Sequence, residues 1–248
     1  MFEEPFRWME AISTRHSYVQ EKLRKGQPVI AVPFKEGALM IGFTPQPGKI
    51  FEVYDCIALG SLGHPADVER LRMTLLDMAH LEGFNRSEKD VTIARLLQFG
   101  VAPALKQNFE EVMRAPYLVK LLLMEMNFED RPLFFRLNYD GYWEMFKKGT
   151  VIAGNSKESE FIEKEIGKRD FASLPLEQAL VEVSRLWEES KKQGTEEEPG
   201  AEKETAMTLA EVFENWTLEA AVLTTTRKKS LFRWVTSSEL ETLKKTCV

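Results

Sequence analysis

The stretch that decides the fold reads Arg24-Lys-Gly-Gln-Pro-Val-Ile-Ala-Val-Pro-Phe-Lys-Glu-Gly-Ala-Leu-Met-Ile-Gly42. Residues 29–32 and 38–41 are apolar and partly β-branched, as strand residues commonly are. The residues Lys35-Glu-Gly37 lie between the two runs and supply the polar side chains and the glycine that a tight reversal needs. The stretch therefore predicts a β-hairpin on which the other elements pack.

A helix is predicted before this hairpin, from about residue 6 to residue 25. Side chains suited to a buried face recur there at intervals of three and four, which places them on one side of a helix. Gly26 follows directly, where a glycine commonly ends a helix. The predicted face consists of Met9, Ile12, His16, Val19 and Leu23.

The length and composition are typical of a globular protein with one main domain. The chain has 248 residues, of which 44% are hydrophobic and 29% charged, and this apolar content is enough for a sizeable core. No run rich in glycine, proline and serine divides the chain before Gly194. We therefore expect one domain of about 190 residues followed by a short tail.

Charge, hydropathy and cysteine content argue against several classes of protein. The net charge of −6, with no basic stripe to offset it, argues against a nucleic-acid-binding protein. The longest apolar run, at residues 118–124, is too short to cross a bilayer, and the first residues carry acids rather than a cationic signal segment. Cys56 and Cys247 are too few for a disulfide framework. We expect a cytoplasmic protein that binds neither nucleic acid nor membrane.

Two strands and then two helices are predicted after the hairpin. The strands lie within residues 49–59. The first helix opens at Pro65 and is expected to stop at Gly83, since proline favours a helix start and glycine a helix end. The second helix has the serine and acid spacing of a capping box at residues 87–90, and one apolar stripe runs along residues 91–109.

The second half of the chain repeats this order of elements. Four strands are predicted within residues 118–153, because short apolar runs alternate there with turn residues such as Asp140-Gly141. Helices at about residues 156–167 and 175–190 follow these strands. The order is therefore β, α, α, β, α, α, in which each pair of helices can cover a sheet.

The end of the chain differs in composition. Residues 191–206 include three consecutive glutamates and have almost no apolar side chains, so they are predicted to form a flexible acidic surface loop. A last strand is expected at residues 218–224. A short closing helix follows, capped by Ser237 or Ser238.

Two common kinds of site find little support in the sequence. The three histidines, His16, His64 and His80, lie in different elements at spacings that match no zinc pattern, so we expect no metal and no cofactor. The segment Gly60-Ser-Leu-Gly63 leads from a strand into a helix, as a phosphate-binding loop does. It lacks the further glycine and the lysine of the known fingerprints, and it is therefore only a weak signal for nucleotide binding.

The order of elements suggests one more specific chemistry. Two hairpins flanked by helix pairs form the layout of hydrolases that use an N-terminal threonine, serine or cysteine as the nucleophile. Such an enzyme needs that residue where the first strand starts. Here Gly26-Gln27-Pro28 precede the strand, and they carry neither a hydroxyl nor a thiol. We therefore expect no catalytic residue and no enzyme activity from this chain itself.

Four stretches carry a resemblance to a known family. They are Tyr18-Val-Gln-Glu-Lys-Leu-Arg-Lys-Gly26, Gly83-Phe-Asn-Arg-Ser-Glu-Lys-Asp-Val-Thr92, Leu133-Phe-Phe-Arg-Leu-Asn-Tyr-Asp-Gly141, and Leu218-Glu-Ala-Ala-Val-Leu223 with the basic residues and Phe232-Arg233 beyond it. In this order and spacing they resemble α-type subunits of the 20S proteasome, and most closely the bacterial type found beside ubiquitin-like tagging systems. The resemblance covers most of residues 18–235.

The resemblance implies a fold and an assembly. The fold is an α+β, four-layer α/β/β/α sandwich of the N-terminal nucleophile hydrolase type. Residues 1–26 would form a gate segment and a ring-packing helix, and residues 27–248 the sandwich domain. Seven such chains would form a ring that caps catalytic β-type subunits, controls the entry of unfolded proteins and docks a hexameric AAA ATPase or another activator.

The resemblance also assigns the site residues. The catalytic threonine of the family falls on Gln27 and its supporting aspartate on Phe43, while its active-site lysine matches Lys49. In α-type rings the resemblance implies that Lys49 receives the C-terminal carboxylate of an activator between neighbouring subunits, with Gly26 at the pocket wall. From the residues alone, an ordinary exposed strand lysine is the favoured interpretation of Lys49, and the resemblance reverses this preference.

The gate is implied to be Met1, Phe2, Glu3, Glu4 and Pro5. The tyrosine, aspartate and arginine tripeptide of archaeal and eukaryotic gates is absent, so the sequence departs from the family here. The helix is expected to begin almost at once after these residues.

Three hypotheses remain open at this point. The first is a non-catalytic ring subunit that gates a protease chamber and docks an ATPase. The second is an active N-terminal nucleophile amidohydrolase, which would need a nucleophile after Gly26. The third is a nucleotide-binding regulator that uses residues 60–63.

Overall fold

The fold is that of a computed structural model that describes residues 5–45, 48–194, 207–225 and 230–247. Its centre is the predicted hairpin, formed by β1 (Val29–Phe34) and β2 (Gly37–Thr44). The strands are antiparallel, with Val29 opposite Gly42 and Phe34 opposite Gly37. Every residue of both strands is buried, because the hairpin lies in the middle of a sheet and is covered on both faces.

Two five-stranded antiparallel sheets contain all the strands in the described part of the chain. The first sheet has the order β10-β9-β2-β1-β8 and the second the order β3-β4-β5-β6-β7. The strands other than the hairpin are β3 (Ile50–Tyr54), β4 (Ile57–Gly63), β5 (Val119–Met126), β6 (Pro132–Asn138), β7 (Trp143–Phe146), β8 (Thr150–Ile152), β9 (Thr217–Thr224) and β10 (Phe232–Trp234).

Helices cover the outer face of each sheet. Those on the second sheet are α2 (Pro65–Asn85), α3 (Ile93–Leu96) and α4 (Ala102–Glu110), with a wide π turn at Leu97–Val101 between the last two. Those on the first sheet are α5 (Ser156–Lys168), α6 (Leu176–Gly194), α7 (Leu209–Asn215) and α8 (Ser237–Cys247).

Three apolar cores hold the layers together. The middle core lies between the sheets, where Val29 and Met40 of the first sheet face Leu122 and Phe134 of the second. The other two lie between each sheet and its own helices. The predicted four-layer α/β/β/α sandwich is therefore confirmed, and burial of apolar surface in three separate layers stabilises it.

The first helix, α1 (Pro5–Leu23), lies across one end of the sandwich. Val19 and Leu23 are buried in the middle core, as predicted, whereas Met9 is 63% exposed. The guanidinium of Arg15 donates to the carbonyl oxygens of Asn108, Val112 and Arg114 at 2.6–3.2 Å. These carbonyls end α4 and begin the loop after it, so a cation is well placed at this helix end.

Two glycines do not act as the predicted helix ends. Gly83 lies within α2, which continues to Asn85. Gly26 follows α1 but has no positive φ, so it does not form the left-handed cap that was predicted. Its small size is required instead, since a Cβ atom there would lie 2.6 Å from Leu62 Cγ.

Other boundaries also differ from the predictions. The single helix expected over residues 91–109 starts at Ile93 and is interrupted by the π turn. Thr236 caps α8 rather than Ser237 or Ser238, since its hydroxyl accepts from Glu239 N while its own N–H donates to the Glu239 carboxylate. The short elements α7 and β10 were not predicted.

Within the part of the chain that the structure describes, every helix is too short or too polar to span a bilayer.

Candidate functional site

The candidate site lies where the chain enters β1, at residues 26–28, which we call the β1 threshold. The backbone is fixed there by two hydrogen bonds: Gly26 N donates to Leu23 O at 2.8 Å, and Gly154 N donates to Gly26 O at 2.9 Å. The first bond ties the threshold to the end of α1. The second ties it to the segment after β8, so the position of the threshold is set by both elements.

Lys49, just before β3, contacts this threshold directly. Its Nζ donates to the carbonyl oxygen of Gln27 at 3.1 Å, and the side chain is partly buried. Because Gln27 follows Gly26, the structure brings the two predicted pocket residues, Lys49 and Gly26, to the same place. Lys49 is therefore not an ordinary exposed strand lysine.

Glu219 of β9 fixes the backbone that carries Lys49. Its buried carboxylate accepts the N–H groups of three successive residues, Gly48, Lys49 and Ile50. These charge-assisted hydrogen bonds hold the start of β3 against the first sheet. Glu219 lies within the predicted strand of residues 218–224, but this role could not be predicted, since nothing local in the sequence links it to residue 49.

A second lysine, Lys191, also lies close enough to influence Lys49. It belongs to the last turns of α6 and is 9% exposed. Its Nζ donates to Glu158 Oε2 at 2.9 Å and lies 5.1 Å from the ring centre of Trp187. The predicted loop at residues 191–206 is therefore wrong at its start, because residues 191–194 are helical; residues 195–206 lie outside the described residues.

These neighbours change the protonation of Lys49. Burial lowers its pKa to about 8, and the positive charge of Lys191 acts in the same direction. The carboxylate of Glu219 opposes the change. Desolvation is the largest cause, because an ammonium loses water when it is partly buried. Near neutral pH the site thus holds a cation that gives up its proton readily.

The two other positions assigned through the resemblance have no acid or nucleophile. Gln27 offers an amide, and its Oε1 is a buried acceptor without a hydrogen-bond partner among the described residues. Phe43 is fully buried in the core of the first sheet, where its ring centre lies 4.5 Å from that of Trp187. The arrangement can bind an anion through Lys49, but these residues supply no group that could attack a carbonyl.

The predicted gate falls almost wholly outside the described part of the chain. Met1, Phe2, Glu3 and Glu4 lie outside the described residues. Pro5 is the first residue of α1, a position at which proline is favoured.

The structure contradicts the nucleotide-binding interpretation of residues 60–63. These residues lie inside β4 rather than in a loop. A Cβ atom at Gly60 would lie 2.7 Å from Met40 Sδ and 2.8 Å from Val29 Cγ1, so Gly60 allows the two sheets to approach closely. A phosphate therefore could not reach the buried backbone at Gly60. Among the described residues, no three His, Cys, Asp or Glu side chains are grouped to hold a metal ion.

Comparison with known proteins gives a consistent result. A relative from Thermomonospora curvata, described as proteasome subunit alpha, is 26% identical over 237 residues, which cover 94% of each chain. One from Streptomyces coelicolor with the same description is 27% identical over 94% of this chain and 86% of its own. One from Streptosporangium roseum is 29% identical over 66% of this chain and 62% of its own. No family model matches the chain.

The chain is a relative of bacterial proteasome α subunits. The resemblance found from the four sequence stretches is thereby confirmed, and so is the fold that it implied.

Proposed function

We propose that this chain is a non-catalytic subunit of the α ring of a cytoplasmic 20S proteasome. Seven copies form a ring that serves as the template for rings of catalytic β-type subunits. Residues 1–5 form the gate at the pore, through which unfolded proteins enter. C-terminal tails of a hexameric AAA ATPase dock in the clefts between neighbouring copies, at Lys49 and Gly26.

The observation that carries this proposal is the hydrogen bond of Lys49 to the β1 threshold. A related catalytic chain would need a hydroxyl or a thiol at residue 27, beside this lysine. Here Gln27 occupies the position and its carbonyl oxygen accepts the Lys49 N–H. Lys49 therefore has no nucleophile beside it to assist, and its ammonium can instead bind an anionic ligand.

The geometry of Lys49 supports docking of a single carboxylate. Its ammonium donates to a neutral carbonyl, which an incoming carboxylate can replace with a stronger, charge-assisted hydrogen bond. The carboxylate of Glu219 is already saturated by three backbone N–H groups and does not compete for this contact. Leu62 fills the space where a side chain at Gly26 would lie, so Gly26 can offer a ligand only its backbone.

Exposed apolar residues on α1 support the ring. Trp8, Met9 and Tyr18 are 45%, 63% and 47% exposed. Large apolar side chains grouped on one exposed helix indicate a surface that another protein chain covers. We assign α1 to the contact between neighbouring copies in the ring.

Co-expression with a β-type subunit from the same organism tests the assembly. We expect an uncleaved α chain by intact mass and a particle of α and β rings by native mass spectrometry. Peptide hydrolysis should depend on the β chains alone. A shortened α chain, or peptide hydrolysis by the isolated α chain, would instead support the amidohydrolase hypothesis.

The Lys49→Ala variant tests the docking site. We expect it to abolish stimulation of proteolysis by the activator, because the docking cation is lost, while assembly and hydrolysis of small peptides stay at the level of the unmodified particle. Lys89→Ala is a suitable control, since Lys89 is an exposed lysine in the short helical turn at residues 88–90, between α2 and α3. Unchanged stimulation in the Lys49 variant would contradict the proposed docking role.

A further inference from the structure

A groove in the helical layer over the first sheet takes no part in the site described above. It lies between α6 and α8, has a volume of about 550 Å³, and is also lined by the segment that joins α5 to α6. This volume is in the range of sites that hold a small ligand or a few peptide side chains. On α6 the lining extends from Glu177 to Arg185, which is about 12 Å of helix.

The floor of the groove is apolar. Leu174 and Val181 are only partly buried, and they pack on the core of the first sheet. Beneath them Phe171, Leu180 and Leu243 are almost completely buried. Among the described residues of α5, α6 and α8, no large apolar side chain is exposed. The apolar surface that a partner could reach on these helices is therefore recessed in the groove.

The charged residues of the lining are mostly acids. Four of them are acids and two are arginines. The two arginines, Arg169 and Arg185, both pair with Glu182, at 3.2 and 3.6 Å. The carboxylate of Glu239 is bonded to Arg233 at 2.9 Å. These charges neutralise one another within the chain and leave no arginine free to attract an anion.

Asp170 and Glu177 are the two remaining acids. Both are exposed, and neither forms an ion pair among the residues that the structure describes. Asp170 directly precedes Phe171, and Glu177 lies in the first turn of α6, so both carboxylates are close to the apolar floor along the chain. A cationic ligand would find carboxylates here that have no competing partner, whereas an acidic ligand would meet charges of its own sign.

We propose that this groove binds a basic amphipathic helix of another protein. Its apolar side chains would cover Leu174 and Val181, and its lysine or arginine side chains would pair with Asp170 and Glu177. The apolar stripe of a helix fits the groove between two other helices, and 12 Å of groove accommodates about two helical turns. The proposal depends neither on the ring nor on Lys49.

Three fluorescent peptides of equal length test this binding with the full chain. All carry a helical pattern, and they are built from leucine and lysine, from leucine and glutamate, and from alanine and lysine. By fluorescence anisotropy we expect the leucine and lysine peptide to bind at least about tenfold more tightly than either of the others. Equal binding of the two lysine peptides, or of the two leucine peptides, would overturn the proposal.

A pair of surface substitutions tests the acids. Asp170→Asn with Glu177→Gln removes both charges and keeps the side-chain shapes, and the leucine and lysine peptide should then bind severalfold more weakly, because exposed ion pairs contribute modestly. Glu241→Gln is the matched control, since Glu241 is an exposed acid of α8 that does not line the groove. A loss of the same size per charge in the control would show that net charge alone attracts the peptide and would refute the proposed pairing.

A substitution in the floor tests the apolar contact and the identity of the occupant. Val181→Lys places a cation in the groove and should abolish peptide binding, while the long side chain can reach water and preserve the fold. Urea unfolding checks that the fold is retained; if it is not, the paired acid variant decides. Retained binding in folded Val181→Lys would overturn the proposal. Loss of self-assembly by native mass spectrometry in the folded variant would assign the groove to a second copy of the chain and would also overturn it.

Discussion

The two helical layers of the sandwich have similar cores but different outer surfaces. In the described residues, none of the exposed large apolar side chains lies on α5, α6 or α8, which cover the first sheet. Over the second sheet, by contrast, Phe84 is 88% and Phe99 69% exposed, with Met73, Leu81, Val112 and Met113 also exposed. Both layers bury their inner faces, and we therefore propose that another protein covers the layer of α2 to α4.

Both layers carry ion pairs on their surfaces, but on α5, α6 and α8 these pairs are not accompanied by exposed large apolar side chains among the described residues. Arg169 bridges Glu182 and Glu189 at 3.2 and 3.1 Å, which links the end of α5 to two turns of α6. Arg233 bonds Glu239 at the start of α8. A groove between α6 and α8 is lined by apolar as well as charged residues, and its two arginines, Arg169 and Arg185, have carboxylate partners. This layer therefore suits an outward, solvated face.

The largest expected effect tests the apolar layer. We propose that β-type subunits are that protein, and Phe84→Asp should then abolish their co-assembly with this chain, because it places a charge within the exposed apolar surface. The isolated chain should stay folded, since Phe84 makes little buried contact. Native mass spectrometry after co-expression measures assembly.

The control for this variant adds the same charge to the other layer. Gln178→Asp changes an exposed residue of α6 and should leave assembly unaffected. Equal assembly of the two variants would show that the apolar surface has no such partner.

A smaller effect is expected from the buried ion pair of the other layer. Lys191→Met should lower the free energy of unfolding by about 3 kcal/mol, because it leaves Glu158 buried and unpaired. Adding Glu158→Gln should recover most of the loss. Urea unfolding followed by tryptophan fluorescence measures both values.

An exposed pair on α2 gives the matched control. Arg72 and Glu69 are bonded at 2.8 Å, but both are accessible to water. Arg72→Met should therefore cost less than about 1 kcal/mol. A cost as large as that of Lys191→Met would refute the distinction between the buried and the exposed pair.

A further effect, smaller than that of Lys191→Met, concerns the cap of α8 and depends on pH. Burial opposes the change, but hydrogen bonds from Arg233 and Thr236 lower the pKa of Glu239 to about 2. A carboxylate whose pKa falls on folding stabilises the fold above its unfolded value and loses this contribution as the pH drops. Glu239→Gln should therefore cost about 2 kcal/mol at pH 7, after allowance for partial exposure.

That cost should decline between pH 4.5 and pH 2, where the native carboxylate takes up its proton. Urea unfolding at pH 7, 4 and 2.5 follows the decline. A cost that stays constant over this range would show that the charge of Glu239 is not the cause.

Much of the fold could be predicted because its signals are local. The apolar runs of residues 29–32 and 38–41 and the glycine between them specify the central hairpin without reference to the rest of the chain. The π turn could not be predicted, because it depends on packing between helices: a Cβ at Gly100 would lie 2.0 Å from Met78 Cε of α2. Propensity alone gives one straight helix there.

The residues of the site could be predicted only in part. Lys49 and Gly26 were named through the resemblance, and the structure places them together. Lys191 was assigned to a solvated loop because its sequence neighbours are polar, yet its partner Glu158 lies 33 residues earlier. Glu219 acts on residues about 170 positions away. Contacts of this range leave no periodic pattern in a single sequence.

The bonds of Glu219 also have a mechanical consequence. They join a strand of one sheet to the start of a strand of the other, at the end of the sandwich where α1 lies. For one sheet to slide over the other at that end, three hydrogen bonds to a charged acceptor would have to break together. This end of the sandwich should therefore resist sliding of the two sheets, so that in the ring proposed above a change in the width of the pore would require whole subunits to tilt.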